Sequence, residues 1–369
     1  ALLRSRSLSG LGDEPAIITG LNWDERAGTF RIGTYGGVTL TWPEKEPAPL
    51  ATLAFPVSQQ VRVGEALYVL EVGEFNPSET DYGILHHYGP EGSHDTLATG
   101  LRRAVDLQVA DLDGDDRPEF ILCEYGNLRG RLTLLTKGEK VSLLDVPGAI
   151  RTQVSDLNGD GRPDIVALVA QGDEGVYILY QTENGGFHPQ RVLRLPPIYG
   201  TSWFELLDYD GDGDQDLVVV NGDNADYSNF LKPYHGLRLY LNDGQNAFTE
   251  AAFIPLYGAT RVVAHDFDED GDYDFAVTAY FPDWEREPAA GFVYLENVES
   301  ADYDFRLRTT PAAANGRWLV LEKGDYDGDG DMDVALGNFP LFPGRQYPGV
   351  AEGWREAGVE LLLMENTLR

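Results

Sequence analysis

The chain has 369 residues, of which 42% are hydrophobic and 24% are charged, a composition typical of a globular protein. Its formal net charge is −33, because 61 Asp and Glu residues stand against 28 Lys and Arg residues. Such an acidic chain lacks the basic surface that nucleic acids and anionic membranes require. No run approaches the roughly 18 apolar residues of a transmembrane helix. The single cysteine, Cys123, excludes an intrachain disulfide, so a secreted chain would need another stabiliser, such as bound metal.

The first hundred residues predict two β-rich units without acidic loops. Residues 2–8 predict an isolated strand that could complete the last unit of a closed ring. Residues 31–41 predict two strands around a Gly-Gly turn, and residues 66–72 and 83–88 predict two more. Neither unit carries a triplet of aspartates, so we predict no metal site there.

Five nine-residue segments that align without gaps follow from residue 102 onward. They are 111–119, 156–164, 208–216, 266–274 and 325–333, and their first residues recur at intervals of 45, 52, 58 and 59 residues. Positions 1, 3, 5 and 9 of each segment carry oxygen-bearing side chains. Positions 4 and 6 usually carry glycine, where the chain must turn sharply. Chance does not repeat this register five times, so the segments are more than acidic surface turns.

The oxygen pattern of these loops predicts calcium binding. Calcium takes six to eight oxygens at about 2.3–2.6 Å, whereas magnesium demands a stricter octahedron and zinc prefers His or Cys. We predict five Ca²⁺ sites, formed by the side chains at positions 1, 3, 5 and 9 and the backbone carbonyl at position 7. The predicted ligands are Asp111, Asp113, Asp115, Arg117 and Glu119; Asp156, Asn158, Asp160, Arg162 and Asp164; Asp208, Asp210, Asp212, Asp214 and Asp216; Asp266, Asp268, Asp270, Asp272 and Asp274; and Asp325, Asp327, Asp329, Asp331 and Asp333.

Position 12 shows that these loops are not EF-hands. An EF-hand requires a bidentate Glu there, on an exiting helix. All five residues at this position are apolar, namely Leu122, Ala167, Val219, Val277 and Leu336. Short apolar β-type runs follow each loop and extended runs precede it. Each loop is therefore predicted to join two strands.

A further strand is predicted downstream of each loop, at 132–135, 176–180, 237–241, 292–295 and 359–364, and residues 248–254 predict a fourth. Four short strands per 45–60 residues are typical of a propeller blade. With the two N-terminal units, the sequence predicts an all-β, seven-bladed propeller of four-stranded antiparallel blades, closed by the N-terminal strand. Residues 1–369 form a single domain, with blades at approximately 11–58, 59–101, 102–149, 150–198, 199–257, 258–313 and 314–369 plus 1–10.

The five loops and their flanking strands resemble the FG-GAP family, also called VCBS repeats, whose members include the integrin-like propellers. The resemblance covers about residue 102 to the C-terminus. It implies a propeller of seven or eight blades with calcium held between the first two strands of a blade. The motif is specific for the fold and says little about function.

Strand alternation divides the loops between two faces. Loops that join strands 1–2 and 3–4 of a blade lie on one face. The five acidic loops belong to this set, so we name it the acidic face. Loops that join strands 2–3, or one blade to the next, lie on the other, named the opposite face. Four long insertions, 73–82, 221–236, 281–291 and 338–358, fall on the opposite face and are rich in aromatics. We predict a protein or glycan partner there, contacted by Tyr199, Trp203, Tyr227, Phe230, Tyr234, Tyr257, Trp284, Phe342, Tyr347 and Trp354. The alternative, that these rings pack the loops onto the rim, stays open.

No nucleophile elbow, phosphate loop, dinucleotide fingerprint or zinc-protease motif is present, and we assign no catalytic residue. The favoured interpretation is a calcium-stabilised, non-catalytic module for adhesion, glycan binding or assembly of a surface or periplasmic complex. The alternative is a carbohydrate-active enzyme, such as a polysaccharide lyase or sugar dehydratase, which would need His, Tyr and Arg or Lys converging on the opposite face. Calcium affinities suited to millimolar concentrations predict an extracytoplasmic location.

Overall fold

The computed structural model describes residues 3–11, 15–43, 52–224, 230–341 and 347–367. Within these ranges the strands form seven antiparallel sheets, which are the blades of a propeller. The predicted seven-bladed fold is confirmed. No helix in the described part of the chain is both long and apolar enough to cross a membrane.

The strands follow the predicted order along the chain. Strand β1 spans Leu3–Leu8. Blade 1 contains β2 (Ile18–Asp24), β3 (Thr29–Thr34) and β4 (Thr39–Trp42), and blade 2 contains β5 (Val57–Val63), β6 (Ala66–Glu71), β7 (Gly83–Tyr88) and β8 (His94–Leu101). Blade 3 contains β9 (Ala104–Ala110), β10 (Glu119–Glu124), β11 (Arg131–Thr136) and β12 (Glu139–Leu144). Blade 4 contains β13 (Ala149–Ser155), β14 (Asp164–Val169), β15 (Gly175–Gln181) and β16 (Phe187–Arg194).

The last three blades carry three of the four long insertions, and blade 2 carries the other, between β6 and β7. Blade 5 contains β17 (Thr201–Leu207), β18 (Asp216–Asn221), β19 (Gly236–Asn242) and β20 (Phe248–Pro255). Blade 6 contains β21 (Ala259–His265), β22 (Asp274–Ala279), β23 (Phe292–Glu299) and β24 (Asp304–Arg308). Blade 7 contains β25 (Trp318–Gly324), β26 (Asp333–Asn338) and β27 (Leu361–Asn366), and the helix α1 (Pro348–Ala357) lies in its insertion.

The ring is closed by the N-terminal strand. β1 pairs antiparallel with β27, from Leu3 opposite Asn366 to Leu8 opposite Leu361, and so supplies the fourth strand of blade 7. Blade 1 shows three paired strands in the described ranges. The closure predicted from the leading strand is confirmed.

The first strands of the blades surround the central axis. Each packs against the first strands of both neighbouring blades, so that β2, β5, β9, β13, β17, β21 and β25 form a closed circle. Six of the seven apolar clusters lie between adjacent blades, and the smallest covers the face of blade 2 that is turned toward blade 1. The second strands are buried on both faces by these contacts. In blades 3 to 7, this double burial explains why the second strands have apolar runs rather than an alternating pattern.

Candidate functional site

All five acidic loops join the first strand to the second strand of a blade, in blades 3 to 7. Position 9 of each loop is the first residue of the second strand, and position 12 lies inside that strand. The prediction that the loops connect strands rather than helices is therefore confirmed. All five loops lie at one end of the strands, on the acidic face.

The aspartate at position 1 organises each turn. In blade 7, the Asp325 carboxylate accepts the backbone N–H groups of Gly328, Asp329 and Gly330 at 2.7, 3.1 and 3.1 Å. The same three bonds recur in blades 3 and 4. Gly328 and Gly330 have φ angles of +78° and +102°. These angles favour glycine, which explains the glycines at positions 4 and 6.

The acid at position 9 is buried in every loop. In blade 7, Asp333 accepts the N–H of Tyr326 at 3.2 Å and the N–H of Asn366, at the end of the third strand, at 2.8 Å. The equivalent pair of bonds recurs in blades 4, 5 and 6. Burial nevertheless raises the pKa of Asp333 to about 7 and that of Asp274 to about 6. Without a nearby cation, ionising these carboxyls is therefore costly.

The loops of blades 5, 6 and 7 contain carboxylate oxygens that lack a donor. The Oδ1 atoms of Asp208, Asp272 and Asp331 are buried and accept no hydrogen bond in the described structure. Burial, followed by the neighbouring Asp329 carboxylate, raises the pKa of Asp331 to about 6. Oxygens from three carboxylates lie within 4.8 Å of one another in blades 3, 5, 6 and 7, in the groups Asp111, Asp113 and Asp115; Asp208, Asp210 and Asp216; Asp266, Asp268 and Asp270; and Asp325, Asp327 and Asp333. This donor set fits a hard cation such as calcium.

The loops of blades 3 and 4 differ because each has a basic side chain beside a predicted ligand. In blade 3, Lys137 Nζ lies 2.8 Å from Asp113 Oδ2, and this hydrogen bond holds the pKa of Asp113 below its usual range. In blade 4, the Arg162 guanidinium contacts the Asp160 carboxylate and also donates to the Gln181 carbonyl at 3.2 Å. Lys137 was not identified from the sequence. Arg162 was predicted only as a calcium ligand through its backbone carbonyl, and its charged side chain was not considered. We call these two groups internal cations.

The family comparison matches the region where two of these loops lie. Residues 156–219 match the family model of the FG-GAP-like repeat. This segment runs from the loop of blade 4 into the second strand of blade 5. For residues 156–219, this match confirms the resemblance predicted from the loops. No curated protein matches the chain.

Solved structures show similarity of fold alone. The Pan2 WD40 domain of Neurospora crassa is similar over 99% of this chain and 96% of its own, with a TM-score of 0.55 and 11% identity. Sqt1 of Saccharomyces cerevisiae is similar over 98% of this chain and 99% of its own, with a TM-score of 0.55 and 12% identity. At such low identity, neither likeness carries a function to this chain.

Hydrogen bonds between blades tie the FG-GAP-like segment to its neighbours. Gln181 of blade 4 donates its side-chain N–H to the Leu112 carbonyl at position 2 of the blade 3 loop, at 2.6 Å. In the same way, Asn246 of blade 5 reaches the Leu157 carbonyl of blade 4 at 3.0 Å. The bond recurs from blade 7 to the loop of blade 6 at 2.7 Å. The loops of blades 3, 4 and 6 are thereby held by the following blade, a link that the sequence analysis missed.

The opposite face carries the exposed aromatic rings. Among the described residues, the exposed aromatic side chains are Tyr82, Phe230 and Tyr257, at 50%, 77% and 39% exposure, and all three lie in loops of this face. Tyr199 and Tyr234 are half-buried and stack on each other with their ring centroids 5.6 Å apart. The sequence prediction named four of these residues and missed Tyr82.

Three tryptophans predicted as partner contacts are buried within the protein. Trp203 has its ring between the guanidiniums of Arg151 and Arg261, at 4.2 and 4.1 Å from the ring centroid. Trp284 and Trp354 pack edge to face at 4.9 Å and join the helix α1 to the blade 6 insertion. Trp284 and Trp354 pack insertions together, as the alternative interpretation held, whereas Trp203 lies on the first strand β17 and not in a loop. Tyr347, just before α1, is half-buried, and Tyr227 and Phe342 lie outside the described residues.

Proposed function

We propose that this protein is a non-catalytic binding module of the extracytoplasmic space. Calcium on the acidic face stabilises the propeller, and the opposite face recognises a protein or glycan partner. One observation carries this proposal: the exposed aromatic rings of the described structure all lie on the opposite face. A propeller with an FG-GAP-like segment is a rigid scaffold on which such loops can be presented.

The partner surface is best supported at blades 5 and 6. A cleft of about 620 Å³ lies there, lined by Pro233, Tyr257, Pro282 and Leu307 among others. Ile198, Phe230, Tyr257 and Leu307 are exposed in or near these loops. Exposed apolar side chains grouped around a cleft favour a binding site in a chain whose surface is otherwise rich in acids.

The calcium part of the proposal rests on the acidic loops. Their desolvated carboxylate oxygens fit a bound cation, and their position between strands makes them part of the blades. The affinity that we predict for these loops, in the millimolar range, suits a compartment where free calcium is abundant. This supports a location outside the cytoplasm.

An enzymatic role is the second candidate, because one cluster of His, Tyr and Arg does lie on the opposite face. His235, Arg238 and Tyr199 belong to it, with the Arg238 guanidinium 4.3 Å from the Tyr199 ring centroid. His235 and Arg238 are 1% and 3% exposed, and burial lowers the pKa of His235 to about 4. A base and a cation so enclosed have no direct access to a polysaccharide, which favours binding over catalysis.

Matched variants on the two faces test this proposal. Defined glycans on an array would be probed with wild-type protein, with F230A/Y257A and with V63A, all in millimolar calcium. Val63 is exposed at the end of β5 on the acidic face and is the control. For a protein partner, a photo-crosslinking amino acid at position 230, 257 or 63 would be used in the native source.

We expect glycan binding or crosslinking to depend on positions 230 and 257 and not on position 63. A partner captured from position 63 alone would contradict the assignment of the face. Turnover of an arrayed polysaccharide by the wild type would favour the enzymatic candidate.

A further inference from the structure

Blade 2 has no acidic loop, but it brings two histidines and a glutamate together. His86 lies on the third strand, β7, and His94 on the fourth, β8. In the register of this pair, His94 is opposite Tyr88 and Thr96 is opposite His86. Residues 86, 88 and 94 therefore share one face of the sheet, whereas the neighbouring His87 points to the other.

The histidine nitrogens are close enough to share one ion. His86 Nδ1 and His94 Nε2 are 3.1 Å apart. Two nitrogens bound to one zinc at 2.0–2.1 Å in a tetrahedron stand about 3.3 Å apart. The nitrogen separation is therefore within a few tenths of an ångström of that around zinc. To admit the ion, the rings would also turn so that both lone pairs point at it, with water completing its coordination on the exposed side of His94.

The other nitrogen of His86 is held by a carboxylate. His86 Nε2 lies 2.6 Å from Glu71 Oε1, and both side chains are buried. Glu71 is itself fixed, because its Oε2 accepts the backbone N–H of Phe55 at 2.6 Å. A carboxylate that orients a histidine in this way leaves the lone pair of the facing nitrogen directed at a metal and makes it more basic.

His94 is exposed, yet its ring orientation is fixed by stacking. The Tyr88 and His94 rings are 4.4 Å apart and nearly parallel, at 4°. A free surface histidine would lose side-chain entropy on binding a metal, whereas a stacked one has already lost much of it. The pair is thus arranged in advance on two paired strands.

From this geometry we propose that His86 and His94 form a metal site for a divalent transition ion of the zinc class. This site is separate from the acidic loops. The imidazole donors select such ions, while the oxygen loops select calcium. His86 and His94 are ligands, and Glu71 is a positioning residue that acts through His86. The competing explanation is a simple N–H···N hydrogen bond between the two rings.

Zinc titration in millimolar calcium, which keeps the acidic loops filled, tests the proposal. The variant is H94A, and the matched control is H188A, because His188 is also exposed on the fourth strand of its blade. We expect wild type and H188A to bind one zinc ion and H94A to bind it at least about tenfold more weakly, because losing a ligand should cost no less than losing a residue that orients one. Equal affinities in wild type and H94A would leave only the hydrogen bond and overturn the site.

Two further measurements separate ligand and positioning roles. With Cu²⁺ as the probe, the electron paramagnetic resonance spectrum should show two coordinated nitrogens in wild type and fewer in H94A. E71Q should weaken zinc binding roughly 10–100-fold while its melting temperature without zinc shows whether it is folded. A folded E71Q with wild-type zinc affinity would remove Glu71 from the proposal, and a wild-type copper spectrum without nitrogen coupling would overturn it.

Discussion

The acidic loops of blades 3 and 4 and those of blades 5 to 7 share one sequence pattern and differ in how their charge is balanced. In blades 3 and 4, Lys137 and Arg162 contact carboxylates of predicted ligands. In blades 5 to 7, Asp208, Asp272 and Asp331 instead have buried oxygens without a hydrogen-bond donor in the described structure. A shared motif therefore does not imply equal demand for an external cation.

This difference suggests a division of labour along the ring. A loop with an internal cation can keep its shape when calcium is removed, because part of the carboxylate charge is already compensated. A loop without one must either bind a metal or bear the repulsion between its carboxylates. Blades 5 to 7, which also frame the proposed partner surface, should therefore depend most on calcium.

Removal of calcium should have the largest effect. Each site filled at about 100 times its dissociation constant adds roughly 2.7 kcal/mol to stability, so several sites together should shift the melting temperature by on the order of 10 °C. Differential scanning calorimetry with and without excess EGTA measures this shift. Hydrogen exchange should then place the loss of protection in blades 5 to 7. An unchanged melting curve would refute structural calcium.

A pair of substitutions at position 3 should separate the two classes of loop. D327N in blade 7 replaces a charged ligand by a neutral one in a loop without an internal cation, so it should lower the melting temperature in calcium and weaken calcium binding at that site. In EGTA the same change should be neutral or stabilising, because it relieves repulsion from Asp329. D113N in blade 3 should behave differently, since it also strips Lys137 of its partner. Identical behaviour of the two variants would remove the distinction.

The interblade hydrogen bonds occur in both classes, so their loss should cost a similar amount in each. Q181A removes the bond to the blade 3 loop, and N366A removes the bond to the blade 6 loop. Each leaves a buried carbonyl without its donor, at a cost of about 1–3 kcal/mol. Urea unfolding in calcium measures both. A much larger loss in the free energy of unfolding for one variant would show that the interblade bonds do not stabilise the two classes of loop equally.

A carboxyl away from the loops serves as a calcium-independent reference in blade 7. Burial raises the pKa of Glu322, on β25, to about 7, above its value in the unfolded chain. Its contribution to stability is thus lost as pH rises from about 4.5 through 7, and E322Q should be more stable than wild type at pH 8, by on the order of 1–3 kcal/mol. Near pH 4.5 the two proteins should melt alike. If the gain in stability of E322Q at pH 8 disappears in EGTA, the gain arises from the calcium loops and not from Glu322 itself.

Removal of an internal cation should give the smallest effect, seen in affinity rather than stability. K137Q frees Asp113 while leaving the loop backbone unchanged, so the blade 3 site should bind calcium several-fold more tightly. Isothermal titration of K137Q against wild type measures the change, with K140Q as the control, because Lys140 donates to the Thr99 carbonyl and to no loop acid. Unchanged affinity would mean that Lys137 leaves Asp113 when the metal arrives.

The sequence predicted the propeller because the acidic loops repeat in a fixed nine-residue register and the strands around them follow. It could not predict Lys137, which comes from the turn after the third strand, 24 residues from Asp113. The partners of the position 9 acids were missed for the same reason. Insertions of different length separate Asp216 from Asn242 and Asp333 from Asn366, so no constant spacing shows in the sequence.

Burial was the other limit of the sequence. The sequence predicted three tryptophans as partner contacts because they are aromatic and lie in or near long loops. Packing between blades and against α1 instead buries Trp203, Trp284 and Trp354. His86 and His94 are eight residues apart on different strands, and only the strand register brings them together. Side-chain burial and contacts between strands depend on how the blades pack together, and a local sequence pattern does not show that packing.

The pairing of β1 with β27 also determines how the ring would respond to force. Leu3 lies opposite Asn366, so the two segments leave the sheet at the same end. A pull applied between these residues would separate the strands one hydrogen bond at a time, starting from that end, rather than shear the whole pair at once. The propeller should therefore open at low tension when it is held at these two residues.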